Sequence, residues 1–415
     1  MSGIESIEQD YYNKCAEINF FPNKIEWDKI HASEYAIKVL KQLIAQERAS
    51  AKRQGIFDPE IENKTDEEII EDRIKNKKGS PHQEMLNMLS DEIRTNAELV
   101  AKTNAGSLNY EFHFPWYCGE YPLPSFDAHC EKSDHGALIL IYTELCQFVY
   151  SFIKVFYMSN LLIHHTSFNE CVDKTITIEP ILSHEETIRA YAKLAGKFIR
   201  GECCGSAPYE SEASVIGSKT LEATMSVLRF AIAHECGHIL AGHISNGKVT
   251  YEFTPMQEMF LKHLGEGDKK EAIKKIYENR ELSLAFENSR YWDYETIADQ
   301  YGLDLCLIPC WPLDGTLKNA HEMIMRLSGP LIFFSLHGML HKAAHSLRKT
   351  DITGNELNYR HPPSYRRSKT MQAWVKEISC NSEMLITNAN CFSIWLRDRE
   401  EEIYNYIINN RTLLS

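Results

Sequence analysis

The segment from Leu221 to His243 constrains the fold more than any other, because it contains the sequence His234-Glu235-Cys236-Gly237-His238. On an α-helix, residues four positions apart lie on one face, so both imidazoles could reach one metal ion. Small or apolar residues continue this face and place the histidines inside the protein: Val227, Ala231 and Ala241. The segment therefore predicts a buried helix that offers two metal ligands and ends near Gly242.

Glu235 follows His234 directly, which on a helix turns its side chain about 100° away from the two imidazoles. A carboxylate in this position lies beside a metal ion rather than on it. A general base must lie beside the metal ion in order to take a proton from the water that the ion activates. We therefore expect Glu235 to be a catalytic base, and Cys236 to face away from the histidines into the core.

A second segment, from Glu295 to Gly302, offers a carboxylate to the same ion. If it is helical, one face carries two acids and two of the smallest residues: Glu295, Ala298, Asp299 and Gly302. Small residues allow another helix to approach closely, and catalytic zinc uses three protein ligands. Glu295 is then the third ligand, and Asp299 orients a ligating imidazole. The alternative is an ordinary acidic face in solvent.

A third segment begins with His361-Pro362-Pro363 and continues to Arg367. By itself, the pair of prolines indicates only a rigid, extended turn. Beside a zinc site, His361 could stabilise the negative oxygen that develops during hydrolysis, and Arg367 could anchor the loop. Both interpretations stay open on the residues alone.

Together the three segments resemble the gluzincin metallopeptidases related to the CaaX prenyl protease and to bacterial membrane-stress proteases. That family has H-E-x-x-H, then E-x-x-A-D on a later helix, then H-P with an arginine several residues beyond, and the same order recurs here. The resemblance implies zinc (Zn²⁺) bound by His234, His238 and Glu295. It also implies Glu235 as the base, with active-site support from Asp299, His361 and Arg367. Phage-exclusion peptidases of the Lit type, which cleave an elongation factor, are a more distant likeness.

Other histidines are weaker candidates for metal ligands. His243 lies half a turn away from His234 on a continuing helix, and the metzincin peptidases place their third histidine differently. We expect His243 to be a helix-end residue or a support for a ligand. A second array, His337, His341 and His345, repeats at helical spacing, but no nearby acid completes a ligand set.

Composition narrows the class of protein. The chain of 415 residues has 43% hydrophobic and 25% charged residues, as soluble globular proteins do. Its net charge of −13 argues against nucleic acid as a partner, since such a surface needs clustered basic residues. Met1 to Asn13 is acidic and polar, unlike an export signal. The 12 cysteines lack paired C-x-x-C spacing, so we expect free thiols in the cytoplasm.

Two apolar stretches need to be tested as membrane spans. Ala137 to Ile163 is interrupted by polar residues every turn or two, and charges inside a membrane are costly. Gly329 to Leu340 is about half the roughly 20 residues that a span requires. We expect both to be buried helices of a protein without membrane contact, which is a departure from the membrane-embedded families that the motifs resemble.

The whole chain predicts a helix-rich α+β fold, in which a zincin-type catalytic domain with a small sheet follows an N-terminal helical region. We place a regulatory region at residues 1–130 and the peptidase domain at residues 131–415. A charged stretch, Asp58 to Lys78, indicates a solvated helix. Phe112 to Phe126, rich in aromatic residues and prolines, indicates an ordered loop.

Two short segments carry clear local signals. Ser183 and Glu186 form the pattern of a capping box, in which each side chain bonds the other's backbone at a helix start. Thr175 to Glu179 is short and rich in β-branched residues, which predicts a strand.

These observations predict a zinc-dependent endopeptidase that hydrolyses a protein or peptide substrate. One alternative is a toxin or phage-defence effector, in which the N-terminal region binds a regulatory partner and a trigger releases the peptidase. Another is a binding or sensor protein in which the metal only stabilises the fold. Glu235 argues against that second alternative, because a structural metal site has no use for a base.

Overall fold

The structure is a computed structural model that describes residues 3–18, 41, 44–45, 48, 64–70, 81–104, 115–121, 126–159, 162–167, 172–177, 181–200, 214–244, 253–264, 268–310, 320–348, 361–379 and 382–410. Its helices are α1 (Gly3–Glu17), α2 (Pro81–Asn104), α3 (Thr143–Ser159), α4 (His184–Arg200), α5 (Ser214–Leu240), α6 (Pro255–Leu264), α7 (Lys269–Glu278), α8 (Arg280–Leu307), α9 (Ala320–Arg348), α10 (Ser364–Ile378), α11 (Glu383–Arg397) and α12 (Glu400–Asn409). Its strands are β1 (Trp116–Tyr121), β2 (Ala128–Lys132), β3 (Ala137–Tyr142), β4 (Leu162–Ser167) and β5 (Val172–Thr177).

Helices dominate this part of the chain and a small mixed sheet accompanies them, which confirms a helix-rich α+β fold. The sheet has the order β1-β3-β2, with β1 parallel and β2 antiparallel to the central strand β3. The strands β4 and β5 form a separate antiparallel pair. β5 overlaps the strand predicted at Thr175 to Glu179, although residues 178–180 lie outside the described ranges. The predicted boundary at residue 130 stays a prediction, and β2 spans that residue.

Two predictions about this region are wrong in part. Phe112 to Phe126 was expected to be a loop, but β1 occupies its middle, where most residues are buried. The apolar stretch from Ala137 was expected to be one helix, but β3 occupies its first six residues and the buried helix begins at Thr143. A strand buried on both faces shows no alternation of polar and apolar residues, so its pattern cannot be told from that of a buried helix.

Helix α9 contains the second apolar stretch, Gly329 to Leu340, as expected for a buried helix. Among the described residues, Ala320–Ala344 is the one helical segment long and apolar enough to cross a membrane, and 67% of its most apolar window is buried inside the protein. Helix α9 packs against α5 and α11, with Leu331, Leu336 and Leu340 fully buried. Tertiary packing thus accounts for the apolar character of this helix.

The central element of the fold is α5, which carries the His234–His238 segment. It contacts α2, α3, α8 and α9 as well as strands β2 and β3. A helix enclosed on all sides is apolar all round, and α5 accordingly buries Val227, Leu228, Phe230 and Ile232 completely. The few polar groups on such a helix lie in the interior, where each needs a partner or a function.

Helix α1 covers the face of the sheet formed by β1 and β3. Its residues Ile7, Tyr11 and Cys15 are fully buried. The ring of Tyr11 lies directly over Gly119, where an added Cβ would be only 2.1 Å from the ring, and its hydroxyl donates a hydrogen bond to the carbonyl oxygen of Glu120 at 2.6 Å. Most of the charged stretch from Asp58 to Lys78 lies outside the described residues.

Helix α4 begins with the predicted capping box. The hydroxyl of Ser183 donates to Oε2 of Glu186 at 2.7 Å, and the backbone N–H of Ser183 donates to the same oxygen at 2.9 Å. The backbone N–H of Glu186 donates in return to the Ser183 hydroxyl at 3.3 Å. This start of the helix could be predicted because it depends on residues three positions apart.

Candidate metal centre

The candidate site forms where α5 and α8 cross at an unusually short distance. An added Cβ at Gly237 would lie 2.8 Å from the carbonyl oxygen of Ala298, and one at Gly302 would lie 3.1 Å from the backbone of His234. A side chain at Gly237 would therefore require the backbone to shift, and one at Gly302 would require a displacement of a few tenths of an ångström. The burial of one face of α8 confirms the prediction that this face packs on another helix. Its residues Glu295, Ala298, Asp299 and Gly302 are all buried.

The crossing brings three ligand groups together. Nε2 of His234 lies 3.4 Å from Oε2 of Glu295, and Nε2 of His238 lies 3.5 Å from Oε1. One ligand atom from each of the three residues lies within 4.8 Å of the other two. The alternative of a solvated acidic face is wrong, since Glu295 is 7% exposed. His234, His238 and Glu295 could thus hold a metal ion, and two imidazoles with a carboxylate suit zinc.

Glu235 lies beside this group, and its carboxylate is buried. Its Oε1 is 3.9 Å from Nε2 of His234, so it borders the ligand set without belonging to it. Burial raises the pKa of Glu235 to about 8, the imidazole of His234 opposes this shift, and the carboxylate of Glu295 adds to it. A carboxyl with this pKa gains and loses a proton near neutral pH, as a general base must.

Asp299 and Arg367 contact each other and the ligand residues. Arg367 donates to Asp299 through two nitrogens, Nε to Oδ2 at 2.8 Å and Nη2 to Oδ1 at 2.6 Å, and its Nη1 lies 3.0 Å from Oε2 of Glu295. Burial tends to raise the pKa of both carboxyls, but the guanidinium outweighs it and holds both pKa values below their usual range. Arg367 lies in the first turn of α10 and so ties that helix, rather than a loop, to the site.

Asp299 also contacts the first ligand. Its Oδ1 lies 2.9 Å from Nδ1 of His234, at an angle outside that of a standard hydrogen bond. Burial lowers the pKa of His234, but Asp299 and Glu295 outweigh it and raise the pKa to about 10. Asp299 therefore lies in a position from which it can orient the imidazole of His234.

His361 lies at the open side of the site. Its imidazole is 65% exposed, and Nδ1 lies 3.1 Å from Oε1 of Glu295. It precedes α10 by three residues, so the same short segment supplies both His361 and Arg367. The structure thus brings His361 next to a ligand carboxylate, while its role toward a developing oxyanion stays a prediction.

His243 lies beyond the end of α5 and contacts His238. Gly242 has a φ of 73°, the left-handed conformation that ends helices, which confirms the predicted helix end. Nδ1 of His243 is 2.9 Å from Nδ1 of His238, and its ring stacks on Tyr294 with 4.0 Å between the centroids. Burial lowers the pKa of His238 to about 3, which keeps its imidazole neutral. The contact with Tyr294 could not be predicted from the sequence, because it depends on the crossing of α5 and α8.

The remaining candidates are not part of this ligand group. His337 packs against Phe333 and His341, and within the described ranges only His234, His238 and Glu295 form a set of three that could bind a metal. Cys236 is fully buried, as expected. Sequence reasoning missed Asp127 at the start of β2, whose charge acts on Glu235 and whose own pKa is raised by burial.

No protein-family model matches this chain, and no curated protein or solved structure matches it either. The likeness to gluzincin peptidases therefore rests on the three sequence motifs, which the fold gathers around one buried group of ligands.

Proposed function

We propose that this protein is a zinc-dependent endopeptidase. The observation that carries the proposal is the buried His234, His238 and Glu295 group with the carboxylate of Glu235 at its border. Three protein ligands leave one position of a tetrahedral zinc ion open, which is the arrangement of catalytic rather than structural zinc. A structural site would be closed by a fourth ligand.

Zinc held by these residues would supply Lewis-acid chemistry and lower the pKa of a water molecule to about 7. The chain itself supplies the movement of protons. Glu235 accepts the proton of the attacking water and passes it to the amine nitrogen that leaves, a transfer that its place beside the ligands allows. Asp299 and Arg367 keep the ligand side chains in place, and His361 is the donor nearest the open side.

The strand β2 offers a place for an extended substrate. The N–H of Tyr142 donates to the carbonyl of Asp127, so in an antiparallel ladder the backbone groups of Ala128 and Cys130 face the outer edge. Among the described residues, no strand pairs with that edge. β2 packs on α5, so a peptide added there runs past Glu235.

The proposal extends to the cellular location and the partners of the protein. Eight cysteines in the described ranges are free thiols, which suits a reducing cytoplasm. The substrate is then a soluble protein or peptide, without nucleic acid or membrane as a partner. A regulatory partner that binds residues 1–130, as in a defence effector, is compatible with the packing of α1 on the catalytic sheet.

The test compares cells that express the wild type with cells that express Glu235→Gln, using proteomics of newly formed protein termini. We expect wild-type-specific termini from one or a few proteins and none from the variant. Metal analysis of both purified proteins should give one zinc per chain. Equal sets of termini would overturn the peptidase proposal, and a protein without zinc would overturn the metal site.

A further inference from the structure

The turn that ends α5 returns the chain over one of the candidate ligands. The N–H of Gly242 donates to the carbonyl of Ile239 at 3.0 Å, and the N–H of His243 donates to the carbonyl of His238 at 2.9 Å. This pair of bonds is the Schellman motif, in which the second residue beyond the helix packs against the residue five positions earlier. That contact is usually apolar. Here it joins two imidazoles.

Metal binding through Nε2 would determine which nitrogen of His238 carries the proton. Nε2 of His238 faces Glu295 and belongs to the ligand group, so it must keep a free lone pair. The proton of the neutral ring then lies on Nδ1 and is donated to Nδ1 of His243, 2.9 Å away. A second imidazole is able to accept this bond only through a nitrogen without a proton, so His243 carries its own proton on Nε2.

The ring of His243 also contacts α8, the helix that carries Glu295. Tyr294 stacks on it with an angle of 19° between the rings, and Tyr294 directly precedes Glu295 in α8. The ring of His243 is thus fixed by one helix through the turn at Gly242 and by the other through stacking. The two ligating histidines have different supports, since His234 contacts the carboxylate of Asp299.

We propose that His243 is a positioning residue that accepts the Nδ1 proton of His238 and so holds the ring in the orientation that zinc binding needs. The inference rests on the proposed zinc site but not on peptidase activity. Groups that support a ligand in this way typically contribute about 10- to 100-fold to metal affinity.

The test measures the Kd of purified variants for zinc ions, by competition with a chelator of known affinity. Asparagine places its amide oxygen close to where Nδ1 of histidine lies, whereas glutamine places it one bond further out. Phenylalanine retains the stack on Tyr294 and removes the acceptor. We expect His243→Asn to bind zinc within about threefold of wild type, and His243→Gln and His243→Phe to bind roughly 10- to 100-fold more weakly.

Nitrogen NMR of histidine-labelled, zinc-loaded protein gives a second readout, because the shift of the Nδ1–H group of His238 reports whether this group is hydrogen-bonded. It should be hydrogen-bonded to a side chain in the wild type and in His243→Asn, and should lose that bond in His243→Phe. Equal zinc affinity of the glutamine and asparagine variants, or wild-type affinity of the phenylalanine variant, would overturn the role of His243. A wild type that binds no zinc would instead overturn the metal site itself.

Discussion

Gly302 lies against the backbone of His234, so closely that an added Cβ would be 3.1 Å from both N and Cα of that residue. The distance between α5 and α8 at the site is therefore set by the absence of a side chain. Because α8 carries Glu295 two turns earlier, this contact also sets how near the carboxylate comes to the two imidazoles.

Gly302→Ala should move the two helices apart and weaken zinc binding by about tenfold, although alanine favours a helix by up to about 1 kcal/mol. Gly338→Ala is the matched control, since it lies within α9 and its added Cβ would meet only Ser364 at 3.6 Å. The control should retain zinc affinity and gain a little thermal stability. Chelator competition and thermal unfolding measure both effects, and equal behaviour of the two variants would contradict this account of the crossing.

Glu295→Gln should lose most of its zinc at neutral pH. The substitution keeps the size of the side chain but removes the charge that complements the ion, and it leaves Arg367 with one carboxylate instead of two. The control is Glu287→Gln, an exposed position earlier on the same helix. Metal analysis of dialysed protein should show one zinc per chain in the control. Full zinc occupancy in Glu295→Gln would place the third ligand elsewhere.

Metal-free Glu235→Gln should be more stable than metal-free wild type above neutral pH. The unfolded chain loses the Glu235 proton near pH 4.5, whereas the folded protein keeps it until about pH 8. Between these values the folded state binds more protons, so wild-type stability falls as pH rises. Glutamine removes this dependence.

The advantage of Glu235→Gln should thus be absent below about pH 4, grow up to about pH 8, and then level off at a few kcal/mol. Urea unfolding of chelator-treated protein at a series of pH values measures it. A constant difference across this range would show that the carboxyl has an ordinary pKa.

His361→Ala should lower kcat and kcat/KM together by roughly 10²- to 10³-fold, the loss expected on removal of one oxyanion donor. Its zinc content should stay close to that of the wild type, because the imidazole is largely exposed and is not one of the three ligands. His263→Ala, an exposed histidine on α6, is the control. A change confined to KM would assign His361 to ground-state substrate binding, and loss of zinc would assign it to the metal.

The sequence could predict the parts of the site that depend on local geometry. His234 and His238 share a face because helical spacing requires it, and the same rule gave the buried face of α8 and the turn at Gly242. The ion pair between Asp299 and Arg367 was not predicted, because no local rule joins residues 68 positions apart. The family resemblance implied only that both residues support the active site.

Features that depend on packing between distant segments could not be predicted in this way. β1 was expected to be part of a loop because its segment is rich in aromatic residues and prolines. β3 was expected to be helical because a strand buried on both faces lacks an alternating pattern. The stack of Tyr294 on His243 exists only after two glycines have let the helices cross.

The packing of Tyr11 over Gly119 has a consequence for the order in which α1 and the sheet assemble during translation. The helix that carries Tyr11 is synthesised long before β3, which begins at residue 137. At about 5 to 20 residues per second, the ribosome needs on the order of ten seconds to complete the sheet, and a helix of this length is marginal in water by itself. Helix α1 thus leaves the ribosome early but docks late, because it packs on strands that are synthesised afterwards. A nascent chain stalled before residue 137 should therefore leave α1 open to proteases.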